Sequence, residues 1–320
     1  MPRSPRRYRP VDLSLVKRLS IKKRRNKSTP AGFGRPLKPS AQTGAFFDSL
    51  PQYLKAADLN EFIEHVAAAR ANQRPFHLLL GAHTIKVGLS PILIDLMERR
   101  IVTGISFNGA GLVHDLELAF FGGTSEDVQS GLDDGSFGMV KQTAELFAAV
   151  CDIAARKRIG LGEAGGCFIE LENAPHRKIS LFASAYRLGM PSTVHLGIGT
   201  DIVSQHPEFN AALAGEASHR DFRLLASVCA DLDRGGVLAN IGSAVMLPEV
   251  FLKALTVARN LNPRKHRLTT ANFDMIEHYR PRLNVVTRPT HGVGKGYNFV
   301  GHHEIMIPLL AWGLKHRIDL

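Results

Sequence analysis

The 320-residue sequence predicts an α/β fold, a doubly wound, mostly parallel Rossmann-like sheet with a basic N-terminal arm. Three observations predict it. Strand-like apolar runs alternate with helical patterns five or more times along the chain. Most of those runs end in glycine-containing turns, as the carboxyl ends of parallel strands do. The composition, 44% apolar with 7% aromatic, belongs to a chain able to bury a substantial core. On this reading residues 1–45 form the arm and residues 46–320 a single α/β domain.

The net charge of +11 lies in the arm. Residues 1–40 hold 13 of the 40 Lys and Arg but only one of the 29 acids, Asp12, leaving 27 bases against 28 acids in the rest. The run Lys22-Lys23-Arg24-Arg25 suits a polyanion, yet aromatics other than Tyr8 are not interleaved with it and no reader module follows. Specific nucleic-acid binding is therefore not expected, and a flexible or subunit-contacting arm is. No apolar run has membrane-spanning length and no secretory pattern opens the chain, so a cytoplasmic protein without a membrane partner is expected. Cys151, Cys167 and Cys229 are widely spaced and read as reduced, buried residues, with no disulfide or zinc framework.

Residues 51–71 place Leu54, Ala57, Leu59, Phe62, Ile63 and Val66 at helical spacing, an amphipathic helix. Residues 76–80 are a short apolar strand ending at Gly81. Ser90-Pro91 caps a helix to residue 99, and residues 101–107 are a buried strand. That strand ends in Asn108-Gly109-Ala110-Gly111 before a helix over 112–121. Such a turn aims backbone N–H groups at an anion, the way α/β folds hold cofactor phosphates. His114 stands where the third glycine of a dinucleotide fingerprint would be. The acids of 122–127 and 133–136 read as capped turns. A literal GxGxxG at Gly160, Gly162 and Gly165 follows a helical pattern over 139–158 where a strand is required, so it reads as a loop.

Residues 178–188 predict a helix and 191–196 a strand, which ends in Gly197-Ile198-Gly199-Thr200-Asp201. Asp201 is placed for ribose hydroxyls or an amine, or else caps a turn. His206 follows closely, and His219 on the helix 218–232 reads as structural. Residues 236–241 repeat the strand pattern, with Gly242-Ser243-Ala244 as turn and Pro248-Glu249 opening a helix to 258. Residues 268–272 are a strand end containing Thr270 and Ala271, and the β-branched run 283–286 predicts a last strand. Beyond it Lys295 stands among Gly292, Gly294 and Gly296, before His302-His303-Glu304 and an apolar helix. Glycines permit close approach of a ligand, and a lysine among apolar walls loses its proton and becomes a nucleophile.

These stretches, in order over residues 50–315, resemble the deoxyhypusine synthase family. Residues 88–115 run without a gap against its cofactor-turn segment. Thr270-Ala271, Gly294-Lys295 and Ile307-Pro308-Leu309-Leu310 match its Thr-Ala pair, nucleophile Gly-Lys and following helix. The resemblance implies an NAD-dependent transferase in which Lys295 forms an enzyme imine with an amine or polyamine and passes an aminobutyl-type group to an acceptor such as a protein lysine. It implies that Asn108, Gly109, Ala110, Gly111, Asp201, Thr270, Ala271, His302 and His303 bind NAD, that His114 and His206 face the substrate, and that sites form at interfaces of a homotetramer. Where the family has acids for its polyamine, this chain has Val113, His114 and His206, and Val293 replaces its tryptophan. A substrate other than plain spermidine is therefore expected, since buried ammonium groups need carboxylates. Two other classes stand beside this reading. One is a catalytically idle NAD-binding or scaffold relative; the other is a metal site at His302, His303 and Glu304, with His206, although the run lacks an HExxH spacing.

Overall fold

The computed structural model describes residues 13–24, 26, 29, 30, 47, 50–263, 267–292 and 294–318. Six strands, β1 (Phe76–Leu80), β2 (Gly104–Asn108), β3 (Ser192–His195), β4 (Arg234–Ile241), β5 (Arg267–Asp274) and β6 (Lys295–Val300), pair in parallel. Their order is β3-β2-β1-β4-β5-β6. This is the doubly wound arrangement, in which strand order reverses between β1 and β4 and a crevice opens outside their carboxyl ends.

The helices are α1 (Leu54–Ala71), α2 (His83–Lys86), α3 (Ser90–Glu98), α4 (Gly109–Phe121), α5 (Val128–Asp134), α6 (Lys141–Lys157), α7 (Leu161–Leu171), α8 (Leu181–Arg187), α9 (Ala211–Leu232), α10 (Met246–Leu261) and α11 (His303–Ile318). α1 is the predicted amphipathic helix, burying Leu59, Phe62, Ile63, Val66 and Ala69. The ring of Phe62 lies 5.8 Å from those of Phe273 and Tyr297 and 6.1 Å from Phe76, which locks α1 across the sheet. On the other sheet face Leu79 and Leu238 pack with Leu225 and Cys229 of α9 and Phe251 and Leu255 of α10. All three cysteines are buried and free. Among the described residues no helix is long and apolar enough to cross a membrane.

The α9/α10 face of the sheet also carries two buried polar rows. His77 Nε2, Ser106 Oγ, Thr193 Oγ1 and His195 Nε2 are joined at 2.8, 2.6 and 3.0 Å across β1, β2 and β3. Asn240 donates to Asn272 at 2.7 Å and Asn272 to Asn298 at 2.8 Å across β4, β5 and β6. The parallel register places most of these side chains beside a partner on the next strand, while His195 meets Thr193 two residues away on β3 itself.

The structure corrects the end of the chain. Residues 283–286 are not a strand but part of a π-helical turn, Arg282–Thr287, entered from Pro281 with helical φ of −58°. Val285 is fully buried in the α9/α10 cluster, and its carbonyl accepts from Thr270 Oγ1 at 2.7 Å, so packing overrides the β-branched preference. The sixth strand begins at Lys295 itself, in the segment read as a loop. Thr270 and Ala271 lie in the middle of β5, whose carboxyl end is Asp274. The GxGxxG is a packing device. A Cβ on Gly160 would fall 1.7 Å from Asp221 Oδ1, and one on Gly162 2.1 Å from the Ser192 carbonyl oxygen, so these glycines let the start of α7 lie against β3 and α9.

Candidate functional site

The carboxyl ends of the strands meet at the switch point. After β1 comes Gly81, whose N–H donates to the Ile241 carbonyl at 2.8 Å; after β4 comes Gly242, which donates to Phe273 at 3.0 Å. The two turns touch, because a Cβ on Gly81 would lie 2.1 Å from the Gly242 carbonyl oxygen. Gly242 also holds φ +70°, where a side chain would be strained and would strike the His303 ring.

Around this junction several buried polar atoms have no hydrogen-bond partner among the described residues. They are Asn240 Oδ1, Asp274 Oδ2 and His303 Nδ1. His303 opens α11 with Nε2 3.3 Å from the Phe273 carbonyl and 3.9 Å from Asp274 Oδ1. Its ring centre is 5.7 Å from that of His83, the first residue of α2. Burial, then the neighbouring His303 and Lys86, disfavour the charged form of His83 and lower its pKa. Buried donors and acceptors left unpaired are costly in a folded protein, so such a group marks a place where a ligand or water completes the bonding.

From the junction α2 leads to Lys86, which lines a cavity of about 180 Å³ between the carboxyl ends of β2 and β3. Ala110, Val113, His114, Glu117, Glu126, Asp201 and Arg24 also line it. Glu117, fully buried on α4, takes both guanidinium nitrogens of Arg24 at 3.0 and 2.8 Å, accepts from Thr143 at 2.7 Å and from Thr124. His114 Nδ1 reaches Thr124 Oγ1 at 2.6 Å. Burial alone would push the Glu117 carboxyl up, but His114 and Arg24 together hold it down at about 2. Arg24 reaches this place because the described arm residues dock: Ile21 is buried and Leu19 bridges Val140. That segment of the arm lies against the domain.

Asp201 rests on the amino end of α4. A Cβ on Gly109 would meet Asp201 Oδ2 at 2.4 Å, and Gly197 N–H donates to that oxygen at 2.8 Å. Burial raises the Asp201 pKa, against hydrogen bonds from the Gly197 and Ala110 backbone. Asn108 caps α4 by accepting from Gly111 N–H at 3.3 Å. The helix N-terminus that the glycine turn offers to an anion is thus engaged by the chain's own carboxylate.

Of the residues singled out in the sequence, Ala110, His114 and Asp201 converge on one cavity, with Asn108, Gly109 and Gly111 beside it. His303 lies at the switch point. His302 is exposed and 3.8 Å from Glu304. His206 is buried with Nε2 2.6 Å from the Gly138 carbonyl oxygen and does not line the cavity. Among the described residues no group of three or more His, Cys, Asp or Glu side chains has metal-holding geometry. Thr270 and Ala271 are covered within β5. Lys295 stands at the amino end of β6, half exposed, its Nζ bonded to Glu61 of α1 and 5.4 Å above the Tyr297 ring. The length of β6, on the order of 17 Å at the rise of a strand, separates it from the carboxyl edge. Val293 lies outside the described residues. Sequence reasoning missed His83 and Asp274. Their signal was position alone, just after the Gly81 turn and at the last residue of an apolar strand.

No protein-family model and no curated sequence matches the chain. Among solved structures it is similar to a conserved LOR/SDH protein from Methanococcus maripaludis S2, with TM-score 0.51 and 14% identity over 89% of this chain and 73% of that one. It is similar to AgrE in its ternary complex with ornithine and NAD+, with TM-score 0.52 and 14% identity over 82% of this chain and 33% of AgrE, so it spans a third of that protein. A protein assigned as a deoxyhypusine synthase from Entamoeba histolytica matches with TM-score 0.52 and 10% identity over 87% of this chain and 96% of that one. At these identities the likeness is one of fold.

Proposed function

We propose that the protein is an NAD-dependent enzyme acting on a small amino compound at the carboxyl edge of the sheet. The observation that carries the reading is the set of buried atoms without a hydrogen-bond partner among the described residues near the β1/β4 switch point, Asn240 Oδ1, Asp274 Oδ2, which has only the His278 ring 3.9 Å away, and His303 Nδ1, where this fold class binds dinucleotides. Those residues, with the Gly81 and Gly242 turns, would hold NAD, which supplies hydride acceptance when bound. AgrE, similar in fold, binds ornithine and NAD+.

His83, whose charged form burial and the neighbouring His303 disfavour, would take a proton from the reacting group. The adjoining cavity offers Asp201 and Glu126 to an ammonium group and Lys86 to a carboxylate, an arrangement suited to an amino acid better than to a polyamine. The docked Arg24–Glu117 pair closes one wall and excludes water there.

The finer reading implied by the resemblance, an imine at Lys295 followed by transfer of an aminobutyl-type group, needs that lysine neutral and near the cofactor. Its ion pair with Glu61 at the opposite edge supports keeping it apart from the present proposal. The test is NADH formation with a panel of amino acids and polyamines, spermidine included, in the wild type and in His83→Ala. Turnover on an amino acid that His83→Ala lowers at least roughly a hundredfold is expected, the usual size of a general-base contribution. Cofactor binding without turnover on any amine would favour the idle-relative reading instead.

A further inference from the structure

A second cavity, of about 500 Å³, opens at the other edge of the sheet. Its floor is built where three strands begin, by Pro75 before β1, Thr103 before β2 and Pro191 before β3, with His77 and Val228 behind them. Its charged lining is Arg70, Arg74 and Arg100 against one acid, Asp231. Arg70 donates to the Arg99 carbonyl at 3.0 Å and Arg74 is 3.4 Å from Asp231, both exposed contacts. Arg100, exposed and at φ +56°, has no ion-pair partner among the described residues. Three guanidinium groups of one sign around a concavity are maintained against their mutual repulsion, which an anion between them would relieve.

Beneath this lining lies a buried imidazole, its Nδ1 packed against Gly104. His77 is fully buried, and its Nδ1 has no hydrogen-bond partner among the described residues. Its Nε2 is held by Ser106, which is held by Thr193 and that by His195. If His195 donates into this row, each hydroxyl donates to the next and Nδ1 of His77 carries an N–H with nothing to receive it. Burial, then His195, lowers the His77 pKa to about 3, so the ring is neutral and not a trapped charge. Pro75, Pro191 and Val228 give the lining an apolar portion, beside the neutral polar Gln73 and Thr103.

We infer that this amino-edge cavity is a binding site for a small organic oxyanion, a phosphate or carboxylate head on a compact apolar body. Arg100 and Arg70 hold the head, and the prolines and Val228 cover the body. The site is separate from the carboxyl edge and does not rest on the function proposed there. The volume admits a metabolite-sized ligand and is in the range of small-molecule pockets.

The test is calorimetric titration of the full chain with pyrophosphate and, separately, citrate, against sodium chloride of equal ionic strength. Three variants accompany it. Arg100→Gln removes a side chain without an ion-pair partner among the described residues and keeps the fold measurable, Arg70→Glu/Arg100→Glu reverses the rim, and Asp231→Asn removes the one acid. Saturable binding of either oxyanion is expected, weaker by about tenfold in Arg100→Gln, lost in the double variant and tighter in Asp231→Asn. The stronger of the two probes assigns the head as phosphate or carboxylate. Two outcomes overturn the inference: no saturable binding of either probe, or binding that Arg100→Gln and Asp231→Asn leave unchanged, which places the anion elsewhere on the chain.

Discussion

Asp221 and Glu117 are both buried carboxylates, and they respond to pH in opposite senses. Asp221 Oδ2 accepts from Val194 N–H at 2.8 Å and Gly162 N–H at 3.0 Å, but its Oδ1 has no partner among the described residues. Burial outweighs those bonds and pushes its carboxyl up to about 7. Asp115, which accepts from Ser180 Oγ and the Leu181 and Phe182 N–H groups, is likewise raised by burial, to about 6. Through these groups the folded state holds protons that the unfolded chain has released, so stability falls as pH rises from the ordinary 3.8 to about 7. Glu117, held at about 2, acts oppositely: its contribution is complete above the ordinary 4.5 and is lost as pH falls toward 2. Asp221→Asn keeps one carbonyl oxygen for the two N–H groups and removes the titration. Urea unfolding across this pH range should therefore show a shallower loss of stability with rising pH in Asp221→Asn than in the wild type. Parallel slopes would contradict the assignment.

At the level of elements, legibility followed burial. β1, β2 and β4 are buried on both faces and read as continuous apolar runs, as central parallel strands do. β6 is an edge strand only partly buried along Lys295–Val300, and Lys295 and Gly296, with Gly292 and Gly294 before them, read as a loop. The run 283–286 has strand composition, but Pro281 and the burial of Val285 make it helical. The GxGxxG follows a helical pattern and so does not fit a dinucleotide fingerprint, and its physical use is a contact between α7 and β3. Gly162→Ala drives a methyl into the Ser192 carbonyl, whose strand cannot retreat without breaking its ladder to β2. A destabilisation of about 1–3 kcal/mol is expected from such overpacking, read as a lower denaturation midpoint with unchanged slope. Gly215→Ala, where nothing lies within 4 Å of the added carbon, serves as the control and should not destabilise.

For the whole molecule, the sheet order determines which residues share an edge. Because all six strands are parallel, every strand end joins one rim and every strand start the other. His114, Asp201 and the Asn108–Gly111 turn were legible as a group because each follows a strand end that glycine marks in the sequence. His83 and Asp274 were not, since a lone histidine after Gly81 and an acid closing an apolar strand have no distinctive spacing. Lys295 was read as following a strand when it begins one, and in a parallel sheet that difference moves it to the opposite rim. The two cavities are likewise divided between the rims, one beside Asp201 and one beside Arg100.

The proposed NAD site lies on the carboxyl rim at the β1/β4 junction. Titration of NADH into the wild type, Asp274→Asn and Lys295→Ala tests it most directly. Wild-type affinity is expected in Lys295→Ala and about tenfold weaker binding in Asp274→Asn, the loss of a hydrogen bond to a charged group. Binding that Asp274→Asn leaves intact and Lys295→Ala abolishes would contradict it.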